Sequence, residues 1–308
     1  MITDEAKLAK WERLLNRLPQ AGDLQFWRDL NPHLPITDRP FELNPAPPQP
    51  SPEALELYRE QMVEEGYTQT SPALPPDMLQ QMVAAVESVR KLDLPPVFAF
   101  VYDIFFQGLT CFDPAFRQLM GNGYRLVPNI WIYYVEPKEE SKGLAPHRDA
   151  EYTGALTADG LPTVATIWIP ITDATTLNGC MYVVPKHRDP EYDASVHDLS
   201  IMADYFGWED VRALPAPAGS MIAWTQYLFH WGSRSSRHAA QPRISFAVYL
   251  QRGDIPDYEP ETHPIPANLT FEERLSVICH SLRHYAYNQI QNWPRAEEML
   301  AFIQRHSR

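Results

Sequence analysis

Cysteine is scarce in this chain: three in 308 residues, Cys111, Cys180 and Cys279, with no Cys-x-x-Cys pair. An odd and scattered set cannot form a disulfide framework. Each cysteine reads as a small buried hydrophobe in a reducing compartment. Basic residues are also outnumbered, 26 Lys and Arg against 39 Asp and Glu, for a net charge of −13. Such a field repels phosphate backbones and anionic lipid, so no nucleic-acid or membrane-surface partner is expected, and an acyl-CoA is disfavoured. A small-molecule substrate remains. Long apolar runs are missing as well. No stretch approaches the roughly 18 apolar residues of a bilayer span. The opening MITDEAKLAKWERLLNRL has early acids and lacks the apolar segment of a signal peptide. A cytoplasmic location is expected; nothing in the sequence sets an oligomeric state.

What is present divides by texture. Residues 4–18 carry Leu8, Trp11, Leu14, Leu15 and Leu18 at helical spacing. The stretch 40–53, PFELNPAPPQPSPE, holds six prolines and reads as an extended connector. Ser51 then caps a helix that opens at Pro52 and ends near Gly66, and another helix is expected from about Asp77 to Lys91. The apolar stretch 97–109 fits helix or strand. From Tyr124 onward, YRLVPNIWIYYVEP, TVATIWIPITDA, GCMYVVP, SMIAWTQY and RISFAVYLQR are short β-rich runs separated by Gly, Pro, Asn and Asp. Many short strands with turn punctuation predict a mainly β fold with flanking helices, a sandwich or jelly roll rather than a parallel sheet. After Pro266 two helices are expected, one with Thr270 as N-cap and one from Pro294 to about Gln304. The chain thus reads as one unit: a helical region 1–95, a β core 120–252 and C-terminal helices 265–308.

Three residues can ligate a metal. In LAPHRDAEY, His147 and Asp149 stand at i and i+2, on one face of a strand, with Arg148 turned away. His230 follows in the turn-rich segment WTQYLFHWGSRSS. Two imidazoles and one carboxylate on one face of an ion leave the opposite face open, the arrangement of mononuclear non-haem Fe(II) oxygenases. Thirteen residues after His230 comes Arg243, with Ser245 at i+2 on the same strand face. An arginine fork with a neighbouring hydroxyl suits the distal carboxylate of a keto acid such as 2-oxoglutarate.

Each piece alone is weak. A second His-x-Asp, His187 and Asp189 in PKHRDP, is a decoy or a rival. The His147 pair is preferred because a jelly roll needs three or four strands between its ligands, and the His187/Asp189 pair leaves only 40 residues before His230. His238 is a possible alternative to His230. Unaccompanied, His147 with Asp149 would read as a surface hydrogen-bonding pair, His230 as a half-buried core histidine, and Arg243 as an ordinary strand arginine. The ordered set carries the reading.

On APHRDAEY (145–152), LNGCMYVVPKHR (177–188), AGSMIAWTQYLFHWGSRSS (218–236) and PRISFAVYL (242–250), the chain resembles the phytanoyl-CoA dioxygenase-like family of Fe(II)/2-oxoglutarate oxygenases, which includes ectoine hydroxylase. The resemblance covers roughly 120–252. It implies a double-stranded β-helix (jelly-roll, cupin-like) core, with Fe(II) on His147, Asp149 and His230. It further implies 2-oxoglutarate on Arg243 and Ser245, O₂ as co-substrate, and Asn129 and Thr166 as further cofactor contacts. Ser220 departs from the family's usual Asp, and Met181 and Tyr182 stand where plainer aliphatics are common. Halogenases of similar type lack the carboxylate; Asp149 is present, so hydroxylation or a related oxidation of an unactivated C–H is expected. Phe105, Phe106, Trp131, Tyr133, Trp168 and Trp224 are candidate pocket walls. Two other readings stay open: a cupin-like metal enzyme that does not use 2-oxoglutarate, and a non-catalytic binding barrel.

Overall fold

The computed structural model describes residues 5–37, 49–149, 156–192, 206–257, 262–264, 269–290 and 293–307. Most of the proline-rich connector, Ala150 to Tyr152 of the first His-x-Asp segment, and His197 lie outside these residues.

The N-terminal third is helical: α1 (Glu5–Ala21), α2 (Leu24–Leu30), α3 (Pro52–Glu65) and α4 (Pro76–Lys91). The start of α3 follows its sequence signals. Ser51 Oγ accepts the backbone N–H of Ala54 at 3.2 Å, and Gly66 closes the helix at φ 80°. The ambiguous stretch after Pro95 becomes a 3₁₀ turn (Pro96–Val101) followed by α5 (Asp103–Thr110), and α6 (Asp113–Met120) completes the helices before the sheet. Short β1 (Tyr67–Gln69) lies between α3 and α4.

Two antiparallel sheets follow. The larger has the order β1-β6-β3-β8-β2-β9, built from β2 (Arg125–Val135), β3 (Val164–Pro170), β6 (Ile222–Thr225), β8 (Arg243–Gln251) and β9 (His263–Pro264). The smaller is β5-β4-β7, from β4 (Met181–Val184), β5 (Arg212–Leu214) and β7 (Phe229–Gly232). Strands adjacent in space but distant in sequence, such as β3 beside β8, are what a jelly roll requires. His230, expected in a turn, lies within β7, where four residues of regular pairing with β4 fix its direction.

Period-two alternation sorts β8 into two faces. Ile244, Phe246, Val248 and Leu250 join the helix-side core, while Arg243, Ala247 and Tyr249 line an internal cavity. β3 behaves the same way: Ala165, Ile167 and Ile169 face the helices, and Thr166 and Trp168 face the cavity. A second apolar cluster (Trp168, Ile222 and Trp224 with Met181, Val183 and Leu214) binds the two sheets together.

The helix-side core draws on α1, α4, α5, the large sheet, α7 (Phe271–Ile290) and α8 (Ala296–His306) in one continuous cluster. The N-cap of α7 is reciprocal: Thr270 Oγ1 accepts the Glu273 N–H, and Glu273 accepts the Thr270 N–H at 2.7 Å. Helical residues outnumber strand residues, so the expectation of a mainly β chain is corrected to a mixed α/β one. The physical reason is the outer face of the large sheet. It is apolar along its length and is covered by helices from both ends of the chain.

Candidate metal centre and its cavity

The smaller sheet places the first two candidate ligands. His147 makes an isolated antiparallel bridge with His230, each donating its backbone N–H to the other's carbonyl at 3.0 and 2.9 Å. The imidazoles therefore sit side by side, ring centres 4.3 Å apart. Each ring is oriented alike. His147 Nδ1 lies 2.7 Å from Ala145 O, and His230 Nδ1 lies 2.9 Å from Leu228 O. A carbonyl only accepts, so both Nδ1 atoms carry the proton and both Nε2 atoms present a bare lone pair.

Asp149 faces those lone pairs. Its Oδ1 is 3.4 Å from His147 Nε2 and 3.7 Å from His230 Nε2. These separations are long for hydrogen bonds. They are close to the spacing of donors around a shared ion, about 3 Å for atoms roughly 2.1 Å from a metal at right angles. The three residues form one group whose ligand atoms lie within 4.8 Å of one another, and no other such group occurs among the described residues. Burial alone would raise the Asp149 carboxyl. The imidazoles of His230 and His147 and the Thr166 hydroxyl more than offset it, so the carboxyl is held low. Burial pushes His230 down to about 4. A carboxylate beside an imidazole held neutral, as His230 is, suits a metal.

The remaining oxygen, Asp149 Oδ2, accepts from Thr166 Oγ1 at 2.6 Å and from Trp224 Nε1 at 2.9 Å. Thr166 in turn accepts from Gln226 Nε2 at 3.1 Å. Sequence reading missed Gln226 and placed Trp224 only as a wall. Gln226 lies in the turn just after β6, where strand alternation no longer applies, so the sequence held no signal for it.

Arg243 lines the same cavity and is 1% exposed. Its Nε donates to Gly179 O at 3.1 Å and Nη1 to Ser245 Oγ at 2.7 Å. Tyr133 and Trp168 flank the guanidinium, 5.8 and 5.6 Å from ring centre to Cζ. Among the described residues no Asp or Glu pairs with it, and burial pushes it down to about 10. Gly143 and Gly232 pass close beside it. A Cβ on Gly143 would lie 2.5 Å from Gly232 Cα and 3.1 Å from Arg243 Nη2, so both positions need glycine.

Several expectations change. Ser245 is fully buried against Arg243 and does not line the cavity. Asn129 does not line it either; it follows Pro128 in a β-bulge of β2, and its Oδ1 is buried without a partner. Thr166 lines the cavity but is bonded to Asp149. Of the candidate walls, Tyr133, Trp168 and Trp224 line it. Phe105 and Phe106 pack instead with Phe100 on the helix side, and Trp131 packs on Tyr285. Tyr249 and Tyr285 are walls the sequence did not reveal. The cavity measures about 170 Å³.

The rival pair is resolved. His187 lies in a 3₁₀ turn, 43% exposed, 3.4 Å from Glu65. Asp189 is buried 2.6 Å from Arg148 Nη1, which donates to Tyr227 O. Residues 148 and 149 are not in a strand, so alternation does not place Arg148; it borders the cavity and runs its guanidinium into protein rather than solvent. His238 is exposed, its backbone N–H bonded to Ser236.

Residues 99–240 match the phytanoyl-CoA dioxygenase (PhyH) family. That span holds the three candidate ligands and stops short of Arg243. No curated protein matches the sequence. Among solved structures, the chain is similar to the epimerase SnoN, crystallised with Fe³⁺, α-ketoglutarate and nogalamycin RO (TM-score 0.52, 18% identity, covering 70% of this chain and 96% of SnoN). It is also similar to the non-haem α-ketoglutarate-dependent carbocyclase SnoK from nogalamycin biosynthesis (TM-score 0.50, 22% identity, 66% and 85%). A third is HygX from Streptomyces hygroscopicus, crystallised with nickel and 2-oxoglutarate (TM-score 0.50, 12% identity, 68% and 90%). At these identities the likeness establishes a shared fold. Among the described residues no helix is long and apolar enough to cross a membrane.

Proposed function

We propose that this chain, whose core matches the phytanoyl-CoA dioxygenase family, is a single-domain non-haem Fe(II), 2-oxoglutarate-dependent oxygenase acting on a C–H bond of a small molecule. The observation that carries the reading is the buried guanidinium of Arg243. It shares a cavity with a His-Asp-His donor set, and among the described residues no Asp or Glu neutralises it. Burying an unpaired cation is costly, and a ligand carboxylate relieves it. A keto acid reaching from the donor set to Arg243 satisfies both ends.

In this reading His147 Nε2, His230 Nε2 and Asp149 hold Fe(II). The bound iron supplies the oxidative chemistry in which 2-oxoglutarate and O₂ yield succinate, CO₂ and oxidised substrate. The protein contributes placement. Ala145 O and Leu228 O keep both imidazole lone pairs on the ion. Arg243, steadied by Gly179 O and Ser245, holds the distal carboxylate. Trp168, Trp224 and Tyr249 keep bulk water off the reacting centre. Hydroxylation is the reaction favoured by the presence of Asp149. The structural relatives' epimerase and carbocyclase activities make other oxidative outcomes on the same machinery the alternative.

The test is turnover of 2-oxoglutarate without added substrate. Fe(II)-dependent O₂ uptake and succinate release, lost in His230→Ala and Arg243→Ala, support the reading. Retained iron with no 2-oxoglutarate consumption points to a different metal enzyme. Failure to retain iron leaves a binding barrel.

A further inference from the structure

We infer that Thr166 and Trp224 hold Asp149 as a one-oxygen ligand, with Gln226 bracing the Thr166 hydroxyl. The inference rests on the metal-site reading above and extends it to residues outside the donor set.

The two oxygens of Asp149 have different surroundings. Oδ1 faces both imidazole Nε2 atoms, at 3.4 and 3.7 Å. Oδ2 faces two donors, Thr166 Oγ1 at 2.6 Å and Trp224 Nε1 at 2.9 Å. Both are charge-assisted hydrogen bonds to the same oxygen. Swinging Oδ2 onto the ion would break both of these bonds.

Asp149 can only accept, so the Thr166 hydroxyl donates to it, and Gln226 Nε2 donates to the Thr166 oxygen at 3.1 Å, bracing the hydroxyl from its other side.

The consequence is a count of positions. A metal held through one oxygen of Asp149 would keep free a position that a carboxylate bound through both oxygens would fill. Trp224 and Thr166 are therefore positioning residues. Trp224 also packs on His230, ring centres 4.7 Å apart, so one side chain braces two ligands.

The experiment is a Co(II) titration of the full-length metal-free protein, followed by affinity and by the visible absorption of the bound ion. Thr166→Val removes the hydroxyl with little change in shape, Thr166→Ser restores it, and Trp224→Phe removes the second donor. Circular dichroism and thermal melting establish that each variant is folded. Folded Thr166→Val and Trp224→Phe are each expected to bind Co(II) about 10- to 100-fold more weakly. Their absorption should fall toward the weak bands of a higher coordination number. Thr166→Ser should match the parent in both. Parent-like affinity and spectrum in folded Thr166→Val or Trp224→Phe would overturn the inference and leave the metal site standing. A parent that takes up no Co(II) would overturn the metal-site reading itself, and this inference with it.

Discussion

At the scale of single residues, the site is made of groups whose burial makes sense only with something bound. Arg243 is the clearest. Replacing it with methionine removes a desolvated cation, so the ligand-free variant is expected to melt no lower than the parent. The same variant should lose about 2 kcal/mol or more of 2-oxoglutarate affinity, roughly 30-fold. Calorimetry and thermal melting, with and without ligand, check both halves. His230 makes a second prediction. Burial holds its imidazole at about 4, against 6.5 when unperturbed. The unfolded chain therefore binds a proton that the native metal-free protein refuses. The stability tied to this group is fully present above pH 6.5 and is lost as pH falls toward 4. Denaturant unfolding of the metal-free protein across that window should show the decline, and His230→Gln should flatten it. Much of this scale was legible in the sequence, because metal ligation and carboxylate recognition use few residue types at restricted spacings. Asn129 was not: its place depends on a bulge at Pro128, which shifts the register by an amount that alternation cannot foresee.

At the scale of elements, the ligands are positioned by pairing between strands far apart in sequence. Four strands, β3 to β6, separate His147 from His230, and the backbone bridge between those two residues closes the barrel at the site. Gly143 and Gly232 let the two backbones touch beside Arg243. Gly143→Ala is expected to cost about 1–3 kcal/mol through overpacking. It should also lower 2-oxoglutarate affinity by displacing the guanidinium; urea unfolding and ligand titration separate the two effects. The Arg148–Asp189 pair explains why one sequence contains two His-Arg-Asp triplets. The first supplies two candidate ligands, and the acid of the second neutralises the arginine of the first. Asp189→Ala should destabilise by about 3–5 kcal/mol by stranding a buried cation, and Arg148→Met with Asp189→Leu should cost clearly less. A double-mutant cycle measures the coupling. Sequence patterning located β2, β3, β4, β6 and β8 and the caps at Ser51 and Thr270, since period-two runs and capping residues are local signals, but not the short β1, β5, β7 and β9. The partner of Arg148 was out of reach, because nothing local in the sequence specifies which acid 41 residues away it will meet.

At the scale of the whole molecule, one large sheet serves two purposes. Its outer face anchors helices from both ends of the chain, and its inner face carries the cavity. The sequence overstated the β content because the β-rich segments hold the recognisable motifs, whereas the helices that cover the sheet are ordinary amphipathic elements. The net charge of −13 sits on the exterior, while the cavity pairs a positive anchor with a His-Asp-His donor set. An anionic co-substrate can thus bind within an acidic protein, as a local field overrides a global one. The central claim is that the donor triad and Arg243 form one binding site for iron and a keto acid. Its most direct test is an anaerobic titration with Fe(II) and then 2-oxoglutarate, watched in the visible range for the metal-to-ligand charge-transfer band of a chelated keto acid. The account predicts a saturable band in the parent, absent in Asp149→Ala and weakened in Arg243→Ala. Iron that binds normally but develops no band with 2-oxoglutarate would contradict it.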